Sequence, residues 1–498
     1  MSKFANKPQA VRQPNTLNTA GGAAFTINDE RKALASVVLT SMLNGDKYYE
    51  TDASRINRVY EQVKNMEDQE FAAKAMIYAR KVGNLRSISH IMASALAENT
   101  KNRKYSLRKA IKKAIIRPDD MIEMFAFWKT RHSSMLPNSI RRAFKDLLDA
   151  YTWDAYQLNK YKNESSAIKL RDIIKLSHPK DKYGNYKKVI EGTLSAPKTL
   201  ETMLSSGQSA SSSFEELLDT NRLGYMAAIK NIRNALMSGL SSEAIKDLCK
   251  LIANPERVAK SKMLPFRYVS AWNEIKNLDI DTFKKRQIKD AFSAAISASV
   301  NNLELVKPDE KVALIIDSSG SMSLNDAWSN AIAMAASMYT GLNPKNVVVY
   351  FFDTDVYEKN FGNMDAMDII DNYSSPSGGA TYFSKPLERL INTRTKVDKI
   401  FIISDMQMYS VNENYLYSSV SNVSRKSFEN YLQSYKNKVN RDVSVLFWNI
   451  RGYDNSTPLE LRDNVLQVSG FSDKLLGIIP KIWKNQNALV DEIKAIEI

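Results

Sequence analysis

From residue 28 to about residue 300 the apolar positions recur at helical spacing. Ile88, Ile91, Met92, Ala95 and Leu96 fall at i, i+3, i+4, i+7 and i+8, which places them on one helical face. Phe71, Ala72, Ala75, Met76 and Ala79 form a second stripe, and Asp68 and Ser87 are the matching N-cap candidates. Further helices are predicted near 101–115, 119–131, 138–162, 165–176, 213–220, 223–237, 242–252, 267–276 and 281–300. Short helices in succession, with few β-branched runs between them, predict an α-solenoid of helix pairs. There is no strict sequence period, so helix length alone carries that expectation. Two stretches interrupt the pattern. Residues 178–186 (HPKDKYGNY) predict a helix-breaking loop, and residues 205–213 (SSGQSASSS) predict a mobile linker.

The pattern changes at Lys307-Pro308. Short, continuously apolar runs now appear at 312–317 (VALIID), 347–353 (VVVYFFD), 400–405 (IFIISD) and 443–450 (VSVLFWNI). Helical stretches near 325–340, 384–393 and 425–438 separate them. Buried strands alternating with helices predict a doubly wound parallel sheet covered on both faces. The expected organisation is thus α + α/β. A flexible N-terminal arm, free or docked, spans 1–27; a helical-repeat region spans 28–306; a parallel-sheet domain spans 307–498.

Composition narrows the function. The 498 residues are 44% hydrophobic and 25% charged, which excludes a largely disordered or collagen-like chain. One cysteine, Cys249, excludes an internal disulfide and a zinc knuckle. No apolar run approaches the roughly 18 residues of a membrane span, and the N-terminus has no apolar signal core, so a cytoplasmic protein with no membrane partner is expected. The net charge is +15, unevenly spread. Residues 307–498 carry 20 basic and 23 acidic side chains, leaving a net +18 on residues 1–306. A surplus of that size on one region is the footprint of a polyanion binder.

The sheet region carries the candidate chemistry. Three strand ends present an aspartate: Asp317, Asp353 and Asp405. In an open parallel sheet those ends line the ligand crevice. Asp317 opens a D-x-S-x-S run with Ser319 and Ser321, which share a side if the loop stays extended. A Gly378-Gly379-Ala380-Thr381 loop adds a hydroxyl. Carboxylates and hydroxyls together suit a hard cation such as Mg²⁺ or another divalent ion. Helix capping by Ser319 and Ser321 is the alternative. In this order and on these strand ends, the residues resemble the metal-ion-dependent adhesion site of von Willebrand factor A domains. The resemblance implies Asp317, Ser319, Ser321, Thr381 and Asp405 as ligands, direct or through water, and an acidic partner group that completes the metal sphere.

Residues 84–96 (NLRSISHIMASAL), 136–145 (LPNSIRRAFK), Lys160-Tyr161, 172–180 (DIIKLSHPK) and 264–272 (LPFRYVSAW) resemble, in this order, the TROVE domain of Ro ribonucleoproteins. The likeness covers roughly residues 20–300, and an A-domain follows in the family's order. It implies a monomeric ring of HEAT-like repeats closed by the A-domain. It also implies binding of small noncoding Y RNAs outside the ring and of 3′ single-stranded ends of misfolded RNA through its hole. Carried across, Arg141, Arg142, Lys160, Lys162, Arg171, Lys175, His178 and Arg267 are the candidate RNA contacts, each otherwise a solvated helix residue. Helical spacing puts Arg171 and Lys175 on one face and turns Leu170, Ile173 and Ile174 to the core. The chain departs from the family at Ile168-Lys169-Leu170, where members carry Trp-Ser-His. Met406-Gln407 replaces the Asn-Glu of many animal members, and the 181–215 region is shorter. These features resemble a bacterial or phage-type member.

No P-loop, G-x-S-x-G elbow, H-E-x-x-H or Cys/His cluster is present, and the three histidines lie far apart in sequence. The expected function is RNA binding without catalysis, with RNA processing left to a nuclease partner such as an exoribonuclease. The alternative is a protein-interaction module whose metal site binds an acidic ligand.

Overall fold

The computed structural model describes residues 15–18, 23–40, 51–99, 104–132, 135–195, 199–261, 263, 265–300, 305–323, 327–407, 428–451, 456–459, 461–462, 464–469, 479–485 and 487–498. Residues 1–14 of the expected arm lie outside these, as do the leading positions of the helices expected at 101–115, 325–340 and 425–438.

The first helical arc is α1 (Glu30–Thr40), α2 (Asp52–Asn65), α3 (Gln69–Lys81), α4 (Arg86–Glu98), α5 (Leu107–Ala114), α6 (Pro118–Arg131), α7 (Asn138–Asp149), α8 (Ala155–Lys160) and α9 (Leu170–Ser177). Asp68 caps α3, accepting from the Phe71 N–H at 2.9 Å, and both apolar stripes are buried. Ser87 does not cap α4. That helix starts at Arg86 after Leu85, so Ser87 lies in its first turn. The helix expected over 138–162 is broken into α7 and α8. Tyr151 adopts φ +51°, Asp154 and Gln157 cap α8 reciprocally, and Trp153 is buried with its Nε1 donating to the Ile116 carbonyl at 3.1 Å. The local capping bonds, with the longer-range Trp153 bond, outweigh continued helix.

Alternate helices stack into two layers. One runs α1, α3, α5, α7, α9; the other runs α2, α4, α6. The chain continues through α10 (Asn185–Glu191), α11 (Leu200–Ser205), α12 (Ala210–Asp219), α13 (Tyr225–Lys230), α14 (Ile232–Met237), α15 (Ser242–Ala253), α16 (Pro255–Ser261), α17 (Pro265–Ile275) and α18 (Thr282–Val300). The serine run at 205–213 is ordered, contrary to expectation. Ser209 caps α12, accepting from the Ser212 N–H at 3.2 Å, and Ser213 is buried.

The arm contributes β1 (Thr16–Leu17) and β2 (Ala23–Thr26). The sheet domain holds β3 (Val312–Asp317), β4 (Val347–Phe352), β5 (Val356–Lys359), β6 (Lys399–Ser404), β7 (Ser444–Asn449), β8 (Ser456–Thr457) and β9 (Val465–Ser469). The main sheet runs β5-β4-β3-β6-β7-β9 and is parallel except for edge strand β5. Val312, Leu314 and Ile316 join the core with α19 (Ala327–Thr340) and α20 (Ala366–Asn372). Ala313 and Ile315 join the other core with α21 (Ser384–Asn392) and α22 (Phe428–Lys438). Burial on both faces is why these strands read as unbroken apolar runs.

The sheet domain touches both ends of the helical array and closes it into a ring. On one side α17 and α18 pack on α19 and α20; Trp272 Nε1 donates to Asp371 at 2.6 Å, and Lys289 pairs with Asp368 and Asp371. On the other, α1 and α3 meet β9 and the C-terminal helix Ala488–Lys494. Tyr78 Oη there donates to Glu492 at 2.9 Å, and Lys74 and Lys113 donate to the carbonyls of Lys494 and Glu497. The described part of the arm is docked rather than flexible, because β2 lies antiparallel between β1 and β8 and so ties the chain's start to the sheet domain.

Candidate metal centre and nucleic-acid interface

Central strand β3 has β4 on one side and β6 on the other, so the chain order reverses there. Its carboxyl end is the switch-point crevice. Asp317 stands opposite Ser404, whose Oγ donates to Asp317 Oδ2 at 2.5 Å. Asp317 Oδ1 accepts the Ser319 N–H at 2.9 Å, and Asp405 Oδ1 accepts the Gln407 N–H at 3.1 Å. The loop after β3 is not extended. Gly320–Ser323 forms one 3-10 turn, and this turn, not alternation, brings the Ser319 and Ser321 hydroxyls within 3.4 Å.

Three residue groups outside the expected set hold the crevice. Ser318 bonds the Phe352 carbonyl through N–H and hydroxyl, and shares a 2.7 Å bond with Ser377. Gly320 N–H donates to the Gly379 carbonyl and Gly378 N–H to the Ser318 carbonyl, zipping the two loops together. Gly379 has φ +94°, and a Cβ there would sit 3.3 Å from Thr354 Cγ2 and 3.5 Å from Asp353 Cγ. The positive φ is what calls for glycine there, and the nearby Thr354 methyl makes a side chain tighter still. Asp353 Oδ1 accepts from Thr354 Oγ1 and the Asp355 N–H beside the glycine loop. The partners of Ser318 and Gly320 lie 34 or more positions away in sequence, and only the glycine pair signalled them.

Asp317, Ser319, Ser321, Thr381 and Asp405 are all buried in this crevice. Burial, then the neighbouring Asp405 charge, pushes the Asp317 carboxyl up to about 7. The carboxylates of Asp317 and Asp405 with the hydroxyls of Ser319 and Ser321 form an oxygen donor set of the kind a hard cation takes, and such a charge would offset that repulsion. Among the described residues no group of three or more His, Cys, Asp and Glu is placed to hold a metal. A depression of about 450 Å³ adjoins the crevice, lined by Ser323, Trp328, Ser329, Ser375, Ser377 and Gly378 among others.

The candidate RNA contacts fall into two places. Arg141 and Arg142 lie on α7, Lys160 ends α8 with Lys162 in the loop after it, and Arg171, Lys175 and His178 lie on or end α9. These elements are joined: α7 packs on α9, and the Leu170 N–H donates to the Lys162 carbonyl at 3.0 Å. Leu170, Ile173 and Ile174 are buried, while Lys175 is exposed and Arg171 half-buried. His178 takes the left-handed conformation (φ +48°) that ends α9, and its carbonyl accepts from Lys145 Nζ at 2.6 Å. Arg267 is exposed but sits on α17, which packs against α14, α18 and α19 in the second arc. Arg141 bonds Asn138, and Lys160 lies over the rings of Tyr156 and Tyr161. Lys145, Lys180, Lys182, Tyr151, Tyr183 and Tyr186 lie on or beside these elements and were not among the sequence candidates.

The fold and site define a helical ring closed by a parallel-sheet domain with an oxygen-lined crevice. The TROVE domain model matches residues 26–193 and 190–318, and the chain belongs to the TROVE-domain family. The crystal structure of the Deinococcus radiodurans Ro (RSR) protein has a similar fold, with a TM-score of 0.59 at 14% identity over 92% of this chain and 100% of that one. Telomerase protein component 1 of Mus musculus is 31% identical over 86 residues, 17% of this chain, and that of Rattus norvegicus is 30% identical over 86 residues. The chain spans 3% of the length of these curated relatives. Among the described residues no helix is long and apolar enough to cross a membrane.

Proposed function

We propose that this protein is a monomeric, cytoplasmic RNA-binding ring. It takes small noncoding, Y-like RNA on its basic helical surface and captures 3′ single-stranded ends of structured or misfolded RNA. It scaffolds or sorts RNA and does not cleave it; an exoribonuclease or other partner supplies processing. The observation that carries this reading is the net +18 on residues 1–306, with α7, α8 and α9 and their ends gathering six of the candidate cations and His178 in joined elements. Lysine and arginine on phosphates give sequence-independent, salt-sensitive affinity, and a ring adds selection by strand width. Leu170 fills the core at the position of the family histidine, so recognition here rests on the surrounding cations.

The crevice is the second half of the proposal. Asp317, Ser319, Ser321, Thr381 and Asp405 would hold Mg²⁺ or a similar cation, which when bound supplies an open position for an acidic group of a partner. The chain's own part is to keep that crevice closed to bulk water and to offer the adjoining hydroxyl-lined depression to the partner's flanking residues. A pure protein-docking role for this site is the competing reading.

Arg171→Ala combined with Lys175→Ala tests the RNA surface. Affinity for a structured RNA falls about 10-fold at moderate salt, and the slope of log K against log salt becomes shallower by about 1 to 2. Fluorescence anisotropy over a salt series reads both. An unchanged slope and affinity would remove α9 from the interface.

A further inference from the structure

The loop between α9 and α10 holds a tyrosine outside its own core. Tyr183 is 59% exposed, one of the most exposed aromatic side chains among the described residues. The backbone around it is fixed rather than loose. Tyr151 Oη accepts the Lys182 N–H at 2.7 Å and donates to the Lys180 carbonyl at 2.9 Å. Asp181 accepts the N–H groups of Tyr186 and Lys187 at 3.1 and 2.8 Å. Tyr186 is buried and donates to the Leu148 carbonyl at 2.5 Å, and Asp149 accepts the Lys180 N–H at 2.7 Å. Tyr151, itself held at φ +51°, meets the Tyr183 ring edge-to-face at 4.9 Å and lies parallel to Tyr186 at 6.0 Å. Three aromatic rings thus form a ladder whose last rung stands in water.

Its charged surroundings are one-sided. Lys182 Nζ lies 5.2 Å from the Tyr183 ring centre, and Lys180, Lys182, Lys187, Lys188 and His178 are all exposed. The nearby acids are already engaged: Asp181 by backbone N–H groups, Asp149 by Lys145 and the Lys180 N–H, and Glu191 by Lys187. A rigid, exposed ring flanked by cations is the arrangement that stacks an unpaired base while phosphates meet lysines.

We propose that Tyr183 is a stacking platform for one unpaired nucleobase of bound RNA, with Lys180 and Lys182 on the flanking phosphates. This rests on the RNA-binding reading and adds to it a base contact, which charge alone does not provide. Pinning the loop through Tyr151 and Asp181 removes the ordering cost that a mobile aromatic would incur on binding. Lys182 leaves the ring face for the phosphate when a base arrives.

The test uses the full chain and three labelled probes read by anisotropy: an unpaired 10-nucleotide RNA, the same length with abasic ribose units, and a blunt RNA duplex. Stacking is worth about 1–3 kcal/mol per base, so Tyr183→Ala should weaken the unpaired RNA about 5- to 100-fold. Tyr183→Phe keeps the ring and stays within about twofold of the wild type. Neither variant changes the duplex or the abasic probe, and the salt slope is unaltered because no phosphate contact is lost. Lys182→Ala makes that slope shallower. Wild-type protein that binds the unpaired RNA, with Tyr183→Ala binding equally well, overturns the platform and leaves RNA binding intact. Wild-type protein that binds none of the probes overturns both. Melting temperatures within about a degree of the wild type confirm that an exposed ring was removed without unfolding.

Discussion

Asp120→Ala should destabilise the ring by about 3–5 kcal/mol, the cost of breaking a buried ion pair by removing one partner. Asp120 has no exposed surface and sits in the first turn of α6. Its Oδ2 accepts the N–H groups of Ile116 and Arg117, both at 2.9 Å, and Arg80 Nη2 at 2.9 Å. Its Oδ1 accepts from Arg86 Nε at 2.7 Å, with His90 Nε2 3.5 Å away. One carboxylate therefore joins α3, α4 and α6, across both helical layers. Burial works against its charge, yet His90, Arg80 and the backbone donors hold it well below the usual carboxylate range. Alanine would strand the Arg80 guanidinium, whose side chain is 5% exposed, without its counter-charge. Chemical denaturation of the purified variant reads the loss. A change below about 1 kcal/mol would show that the network adds little to the ring.

Asp317→Asn should abolish stabilisation by divalent ions and remove this carboxyl's contribution to the pH dependence of the ion-free protein. The Asp317 carboxyl is raised by burial and then by Asp405, from 3.8 to about 7. The native state thus binds more protons than the unfolded chain within that window. Stability of the ion-free protein falls as pH rises through it, with the penalty absent below 3.8 and complete above about 7. At pH 8 millimolar Mg²⁺ should raise the wild-type melting temperature by a few degrees, since a ligand at 100 times its Kd contributes about 2.7 kcal/mol. At pH 5 the same addition does less, because the protonated carboxyl is a poor ligand. The asparagine variant, free of the buried charge, should melt above the ion-free wild type at pH 8 and ignore Mg²⁺. Differential scanning fluorimetry at both pH values measures this. An undiminished Mg²⁺ response in the variant would move the cation elsewhere.

The apolar strands were legible because burial on both faces leaves no polar alternation to misread. Val312–Asp317 matches its expected bounds, and β4, β6 and β7 fall within one residue of theirs. Edge strands β5 (VYEK) and β9 (VLQVS) are short and partly polar, and carried no such signal. The α7–α8 break was hidden because Leu147, Leu148, Trp153 and Leu158 are all apolar, while the cause of the break includes a bond from Trp153 to the distant Ile116 carbonyl. The docking of the arm was equally hidden, since β2 pairs with a strand more than 400 positions away. The five oxygen-bearing residues were visible as types on strand ends and the loops beside them. The turn that gathers Ser319 and Ser321 was not, because alternation assumes an extended loop. The basic residues could be named from sequence, but only packing separates Arg267 on α17 from those on α7, α8 and α9.

The most direct test of the central claim is equilibrium titration of the intact protein with a structured RNA, with and without a 3′ single-stranded tail, across a salt series, with the matching DNA as control. The account expects the tailed RNA to bind most tightly, with a steep salt slope, and the blunt RNA and the DNA to bind at least tenfold more weakly. Equal and weak binding of all these polyanions would contradict it, and would leave the oxygen-lined crevice as the functional centre of the molecule.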